Sequence, residues 1–132
     1  MLTSKAKYAL RAMIDLAEQS GGKPVFIADI AARQDIPRRF LENILIELRK
    51  EHLVVSHRGK NGGYALARAP QDISFAEVIR CIDGPLALAP CASQNAYRRC
   101  DDCVDEATCA IRKTLIELRE STAKILEKTK LS

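Results

Sequence analysis

The sequence predicts a mainly α-helical chain carrying one small two-stranded ribbon, and three observations predict it. Apolar residues recur at spacings of three and four over 5–20, 37–51 and 105–128, the period of an amphipathic helix. Two short hydrophobic runs, Leu53–Ser56 and Tyr64–Ala67, flank the stretch Arg58-Gly59-Lys60-Asn61-Gly62-Gly63, as two strands flank a turn. With 132 residues and 47% hydrophobic side chains, the chain can bury the core of one domain, or one domain plus an extension.

Taken in order, residues 5–20 form the first expected helix. Ala6, Ala9, Leu10, Met13 and Ala17 make its face, Ile14 and Leu16 broaden it, and Gly21-Gly22 stops it. Ser4 is the expected cap. Val25 and Phe26 are expected to be extended, before a short Ala-rich helix over Ile27–Gln34 with Ile27, Ile30 and Ala31 inward. Ala28 and Ile36 also read as packing residues. A turn of a few residues then leads to a helix over 37–51, the spacing of a helix-turn-helix. Pro37 suits its first turn, where a missing N–H costs nothing. Phe40, Leu41, Ile44, Leu45 and Leu48 form one apolar stripe, and Arg38, Arg39, Glu42, Asn43, Arg49 and Lys50 largely occupy the rest.

A helix feeding a two-stranded ribbon with a basic, glycine-rich tip is the outline of a winged helix-turn-helix. Such a helix fits a major groove while the tip reaches the backbone or the neighbouring minor groove. Beyond the ribbon, Ser74 and Glu77 form a potential capping box for a helix near 74–82, with Phe75, Val78, Ile79 and Ile82 inward. Cys81 on that helix reads as a structural thiol. Asp83-Gly84-Pro85 ends it. In the last helix Ile111, Leu115, Leu118, Thr122 and Ile125 alternate by four and three, a heptad seam. That seam either covers the domain's own core or pairs two copies, and pairing is favoured because two-fold partners match palindromic operators. The expected division is 1–84 for the DNA-binding unit, 85–104 for a cysteine-bearing loop and 105–132 for the dimerisation helix and tail.

The net charge of +4 is unevenly spread. Residues 1–68 hold twelve Lys/Arg against seven Asp/Glu, and residues 69–132 hold nine against ten. A basic first half suits a polyanion such as double-stranded DNA. No apolar run approaches the length of a membrane span, and Lys5, Lys7 and Arg11 interrupt any signal-like core, so a cytoplasmic location is expected. Enzyme chemistry is not expected. No nucleophile–base–acid set appears, His52 and His57 both fall near the wing, and R-G-K-N-G-G-Y lacks the spacing of a phosphate-binding loop.

Cys91, Cys100, Cys103 and Cys109 fall within nineteen residues, with eight, two and five residues between them. Thiolates are soft ligands for iron–sulfur clusters or zinc. Structural zinc usually takes two close pairs, and only Cys100 and Cys103 make one, so the spacing favours a cluster. Metal-free thiol redox chemistry is the third option, with Arg98 and Arg99 lowering the pKa of Cys100. Asp101, Asp102, Asp105 and Glu106 read as solvated charges at a helix start.

Three segments carry a family resemblance: L-T-S-K-A-K-Y-A-L-R-A-M at Leu2–Met13, F-L-E-N-I-L-I-E-L-R-K at Phe40–Lys50, and R-G-K-N-G-G-Y-A-L-A-R at Arg58–Arg68. With them the chain resembles, over nearly its full length, the Rrf2 family of bacterial winged-helix regulators. Members of that family respond to iron–sulfur cluster status, nitric oxide, iron or cysteine. The resemblance implies a homodimer on a pseudo-palindromic operator, with a 2Fe–2S or 4Fe–4S cluster before the dimerisation helix. It places ligands at Cys91, Cys103 and Cys109, with Cys100 extra and able to replace Cys91 or Cys103. The chain departs from the family in its fourth ligand. Arg112 stands where the cluster biogenesis regulator has histidine, and Lys7 where other sensors take a carboxylate from the partner. A fourth cysteine or an open position is implied instead.

On this reading Arg38, Arg39, Glu42 and Asn43 start the recognition helix. Arginine can pair with guanine, asparagine with adenine and glutamate with the cytosine amino group. Arg58 and Lys60 anchor the wing, Gly59, Gly62 and Gly63 permit its turn and close approach, and Lys5, Lys7 and Arg11 touch phosphates. Tyr64 suits core or contact equally. The cysteine loop joins the DNA-binding half to the pairing helix, so its state can change the spacing of two recognition helices. Repression is favoured over activation. Two alternatives stay open: a metal-free thiol regulator, and a zinc-stabilised winged-helix interaction protein.

Overall fold

The computed structural model describes residues 2–19, 23–60, 62–84, 86 and 110–132. Five α-helices, one 3-10 turn (Pro70–Asp72) and one antiparallel ribbon are found among them: α1 (Ser4–Gln19), α2 (Ile27–Gln34), α3 (Arg38–Lys50), β1 (Val54–His57), β2 (Gly63–Leu66), α4 (Phe75–Asp83) and α5 (Ala110–Lys128). This is the expected mainly α fold with a small wing, and α2 has the expected bounds.

Helices α1, α2 and α3 pack against one another around a single core. Met13 and Leu16 of α1, Ile30 of α2, and Leu41, Ile44, Leu45 and Leu48 of α3 are fully buried. Each such side chain contributes about 1.5–3 kcal/mol relative to exposure. Ile36, Leu53, Val54, Ile73 and Val78 extend the core under the wing and α4. Ala28, expected to pack, lies on the exposed side of α2. With only eight residues, α2 offers one narrow inward stripe, and Ile30 fills it.

The helix ends show which local signals were decisive. Ser4 is the first residue of α1 and not its cap. The cap is Thr3, whose Oγ1 accepts from the Ala6 N–H at 3.1 Å. The Thr3 backbone N–H donates to Asp83 at 3.1 Å and its hydroxyl donates to the same carboxylate, tying the start of α1 to the end of α4. Pro37 is the N-cap of α3, one residue earlier than a first-turn position. Asp35 closes α2 at φ 52° with its N–H on the Ala31 carbonyl. A short polar side chain tolerates this left-handed conformation. The turn between α2 and α3 is thus Asp35-Ile36-Pro37.

The wing pairs Val54 with Leu66, Val55 with Ala65, Ser56 with Tyr64 and His57 with Gly63. Strand β1 starts at Val54 because the Leu53 N–H still donates to the Leu48 carbonyl at the end of α3. The extended residue 25 joins the ribbon as a third edge. The Val25 N–H donates to the Tyr64 carbonyl and the Tyr64 N–H to the Val25 carbonyl, both at 2.8 Å. Tyr64 packs against the core, so the structure resolves that residue toward packing.

Ser74 caps α4 by accepting from the Glu77 N–H at 3.2 Å. Only half the expected box forms, because the Glu77 carboxylate pairs with Arg68 instead. Helix α5 packs against α4, yet none of its residues is buried. The chain after it turns back: the Phe75 N–H donates to the Thr129 carbonyl at 2.9 Å and the Leu131 N–H to the Ile73 carbonyl at 3.1 Å. Leu131 enters the core, and Arg80 pairs with Glu127 at 3.0 Å. The far end of α5 is therefore fastened to α4 and to residues 73 and 74 before it.

Candidate nucleic-acid interface

Helix α3 divides cleanly. With 3.6 residues per turn, burying Leu41, Ile44, Leu45 and Leu48 sends Arg38, Arg39, Asn43, Ile46, Arg49 and Lys50 to solvent. Arg38 reaches Glu42 at 3.5 Å, a solvent-exposed pair one turn apart and worth a few tenths of a kcal/mol at most. DNA can displace it at little cost. Tyr8 of α1 meets Phe40 edge-to-face with centroids 5.5 Å apart, which fixes the first turn of α3 against α1. At the other end Arg49 donates to the Ser56 hydroxyl at 3.3 Å, linking α3 to β1.

The wing tip presents Arg58, Gly59 and Lys60 to solvent, while Gly62 is buried with its N–H on the Gly59 carbonyl at 3.0 Å. Asn61 lies outside the described residues. Among the described residues, Arg39, Arg58 and Lys60 make no ion pair, so α3 and the wing offer cations with nothing to displace. The flank from α1 is more varied. Lys7 is exposed, Arg11 lies 5.7 Å from the centroid of the Tyr8 ring, and Lys5 is held by Glu47 at 2.7 Å. That last contact makes Lys5 a tie between α1 and α3.

Two of the wing glycines make close approaches inside the protein. A Cβ on Gly63 would stand 2.3 Å from the Val25 carbonyl oxygen, and one on Gly62 would stand 2.6 Å from the His57 oxygen. Gly63 is what lets residues 25 and 26 lie against the ribbon.

One buried ionic cluster was missed. Asp15 is 1% exposed and accepts two hydrogen bonds from Arg33 at 2.9 Å and one from Gln34 at 3.1 Å. Burial pushes its carboxyl up, but the Arg33 and Gln34 hydrogen bonds and the Arg33 charge outweigh it and hold the group below its ordinary value. The cluster joins α1 to α2, and the signal was a carboxylate inside the stripe Ala12-Asp15-Leu16.

Cys91, Cys100, Cys103 and Cys109 lie outside the described residues. Among the described residues no group of three metal-ligating side chains occurs. Cys81 is half-buried with its thiol 3.5 Å from the Glu47 carbonyl, and burial with the Glu51 and Glu47 charges pushes its pKa to about 11. A thiol held in that form is inert. On α5, Ile111 is 73%, Leu118 47% and Ile125 65% exposed, with Leu115 and Thr122 half-buried.

The Rrf2 family model, described as an iron-dependent transcriptional regulator, matches residues 2–132. The chain belongs to the Rrf2 family. The rrf2-like HTH-type transcriptional regulator of Rhodobacter capsulatus is 50% identical over 121 residues, covering 89% of this chain and 81% of that protein. The IscR transcriptional regulator of Escherichia coli is 40% identical over 106 residues, 80% of this chain and 65% of its own length. Among solved structures, CymR, the global cysteine regulator of B. subtilis, superposes with a TM-score of 0.80 at 29% identity, covering 99% of this chain and 92% of that one. T. potens IscR gives 0.74 at 31% identity, covering 99% and 82%. This Rrf2 protein is thus a DNA-binding transcription regulator with a winged helix, and not an enzyme. No helix among its described residues is long and apolar enough to cross a membrane.

Proposed function

We propose that this Rrf2 protein is a homodimeric, sequence-specific repressor whose DNA affinity is governed by an iron–sulfur cluster on its cysteine segment. The observation that carries the DNA-reading part is the shared display of Arg38, Arg39 and Asn43 on α3 and of Arg58 and Lys60 on the wing, all exposed. Arg39 and Asn43 have the donor patterns for guanine and adenine edges, and Glu42 can accept from cytosine once Arg38 turns to a phosphate. Arg58 and Lys60 neutralise phosphates and set the register. The heptad seam of α5 supplies the pairing surface. Two recognition helices then meet half-sites about 34–36 Å apart on a pseudo-palindrome. The proposed division is 1–84 for DNA, 85–104 for sensing and 105–132 for pairing.

The donor set fits the cluster. Cys91, Cys103 and Cys109, with Cys100 as fourth thiol or substitute, provide soft ligands at an irregular spacing that a four-thiolate zinc site does not usually take. When bound, a cluster supplies a group whose integrity depends on iron supply and oxidant. The segment follows Asp83, which is tied to the cap of α1, and precedes α5, so it lies in the chain between the DNA-binding unit and the pairing helix. A metal-free thiol switch is the second reading, favoured by the likeness to the oxidised form of Staphylococcus aureus CymR at a TM-score of 0.73 and 26% identity.

Anaerobic purification followed by iron, acid-labile sulfide and zinc analysis tests the assignment. The expected result is iron matched by sulfide, lost on substitution of Cys91, Cys103 or Cys109 by Ala. Stoichiometric zinc without sulfide would contradict the cluster. Neither metal, together with a DNA affinity that depends on disulfide formation, would establish the thiol switch.

A further inference from the structure

A single extended residue, Val25, bridges to the edge of the wing, and the side chains of Lys23 and Phe26 that flank it face solvent. Residue 25 is held to Tyr64 by two hydrogen bonds of 2.8 Å, and Gly63 lacks the Cβ that would push it away. In that antiparallel register Phe26 falls opposite Gly63, toward the wing tip, and Lys23 toward the base. Lys23, Pro24, Phe26 and Gly62 line a cleft of about 450 Å³. Phe26 is 48% exposed, although the core lies within reach of its neighbours Val25 and Ile27. Lys23 is exposed and makes no ion pair among the described residues. Pro24 has no N–H to offer, so the outer edge is poorly suited to recruit a further strand.

We infer that this cleft holds the sugar–phosphate backbone of DNA beside the stretch gripped by the wing tip, with Lys23 on a phosphate and Phe26 against a deoxyribose. The inference rests on the DNA reading of the wing proposed above. Two features of the surface select this occupant. Gly62 lines the cleft and donates its N–H to the Gly59 carbonyl of the tip, so the cleft adjoins the tip that carries Arg58 and Lys60. Its chemistry is also that of a nucleic-acid strand: an unpaired cation for the phosphate and an apolar ring for the carbon face of the sugar. A protein partner would gain from the ring but not from a lone cation beside other lone cations.

The contact is sequence-independent, because backbone contacts position without reading bases. The test is DNA titration of the full-length wild type and of Lys23→Ala, Phe26→Ala and Arg58→Ala across a salt series. The probes are a duplex selected from a randomised pool by the wild-type protein and an unrelated duplex of the same length. Lys23→Ala is expected to bind both duplexes about three- to tenfold more weakly and to lower the log–log salt slope of the dimer by about 1.8, the signature of one lost phosphate per chain. Phe26→Ala is expected to weaken both about equally while leaving the slope unchanged. Wild-type affinity and slope in both variants, with Arg58→Ala weakened, would overturn the cleft contact and leave the wing reading intact. If Arg58→Ala is also unchanged, the wing reading fails and takes this inference with it. Both side chains are exposed, and circular dichroism of the variants separates a contact effect from unfolding.

Discussion

Replacing Leu118 and Ile125 together by Glu is expected to leave a folded monomer and to weaken operator binding by two to four orders of magnitude. The reasoning begins with exposure. Ile111, Leu118 and Ile125 recur every seven residues, and they are three of the most exposed large apolar side chains described. The fold itself does not need them, since α5 meets α4 and no residue of α5 is buried. A partner helix covering each would contribute about 1–2 kcal/mol, and a carboxylate there would instead be stripped of water against its symmetry mate. Loss of pairing turns one bivalent docking event into two separate ones, and the lost effective concentration accounts for factors of about 10²–10⁴. Sedimentation equilibrium gives the mass and a DNA titration gives the affinity. A variant that remains dimeric would place the interface elsewhere.

The second large effect is expected at Gly63. Substitution by Val imposes two separate costs: a side chain at φ 128°, and a Cβ 2.3 Å from the Val25 carbonyl oxygen, which is backbone and has little room to yield. Strain of the first kind alone costs about 1–3 kcal/mol, and overpacking of the second kind adds about as much. Gly63→Val should therefore lower stability by about 3 kcal/mol or more, detach residue 25 from β2 and abolish DNA binding. Gly59 supplies the internal comparison. It too has a positive φ, 99°, but a Cβ there meets nothing within 4 Å. Gly59→Ala should cost only about 1 kcal/mol by the strain term. Thermal unfolding of the two variants side by side measures the difference. Equal losses would mean that the approach of residue 25 is not what Gly63 permits.

Where the sequence carried a repeating signal, it specified the structure well. The stripe Leu41-Ile44-Leu45-Leu48 gave α3 and its inward face, and Ile27–Gln34 was legible to the residue. Single-residue signals were ambiguous because neighbours offered the same chemistry. Thr3 and Ser4 both make good caps, and the carboxylate of Asp83, eighty residues away, selects Thr3. Glu77 had the right spacing for a reciprocal box, but Arg68 competed for it. Long-range pairing was not legible at all. Nothing local to Lys5 announces Glu47, and nothing near Leu131 announces its place under Ile73. The exposed face of α3 was readable because it is the complement of a buried stripe. The packing of Gly63 against the chain's own residue 25 is a further close approach that nothing local to the glycine-rich tip announced. The four clustered cysteines lie outside the described residues, and the ligand roles proposed for them rest on donor chemistry.

The most direct test of the central claim, that α3 reads bases while the wing holds the backbone, is a base-by-base affinity profile. The wild type, Arg39→Ala, Glu42→Ala and Arg58→Ala would be measured against every single-base change in a selected duplex. The predicted result is a loss of discrimination, about 1–3 kcal/mol, confined to one or two positions per half-site for Arg39→Ala and Glu42→Ala. Arg58→Ala should instead weaken every duplex equally and reduce the salt slope by about one per chain, about two for the dimer. Unchanged base preferences in both α3 variants would contradict the account and move sequence recognition to another surface.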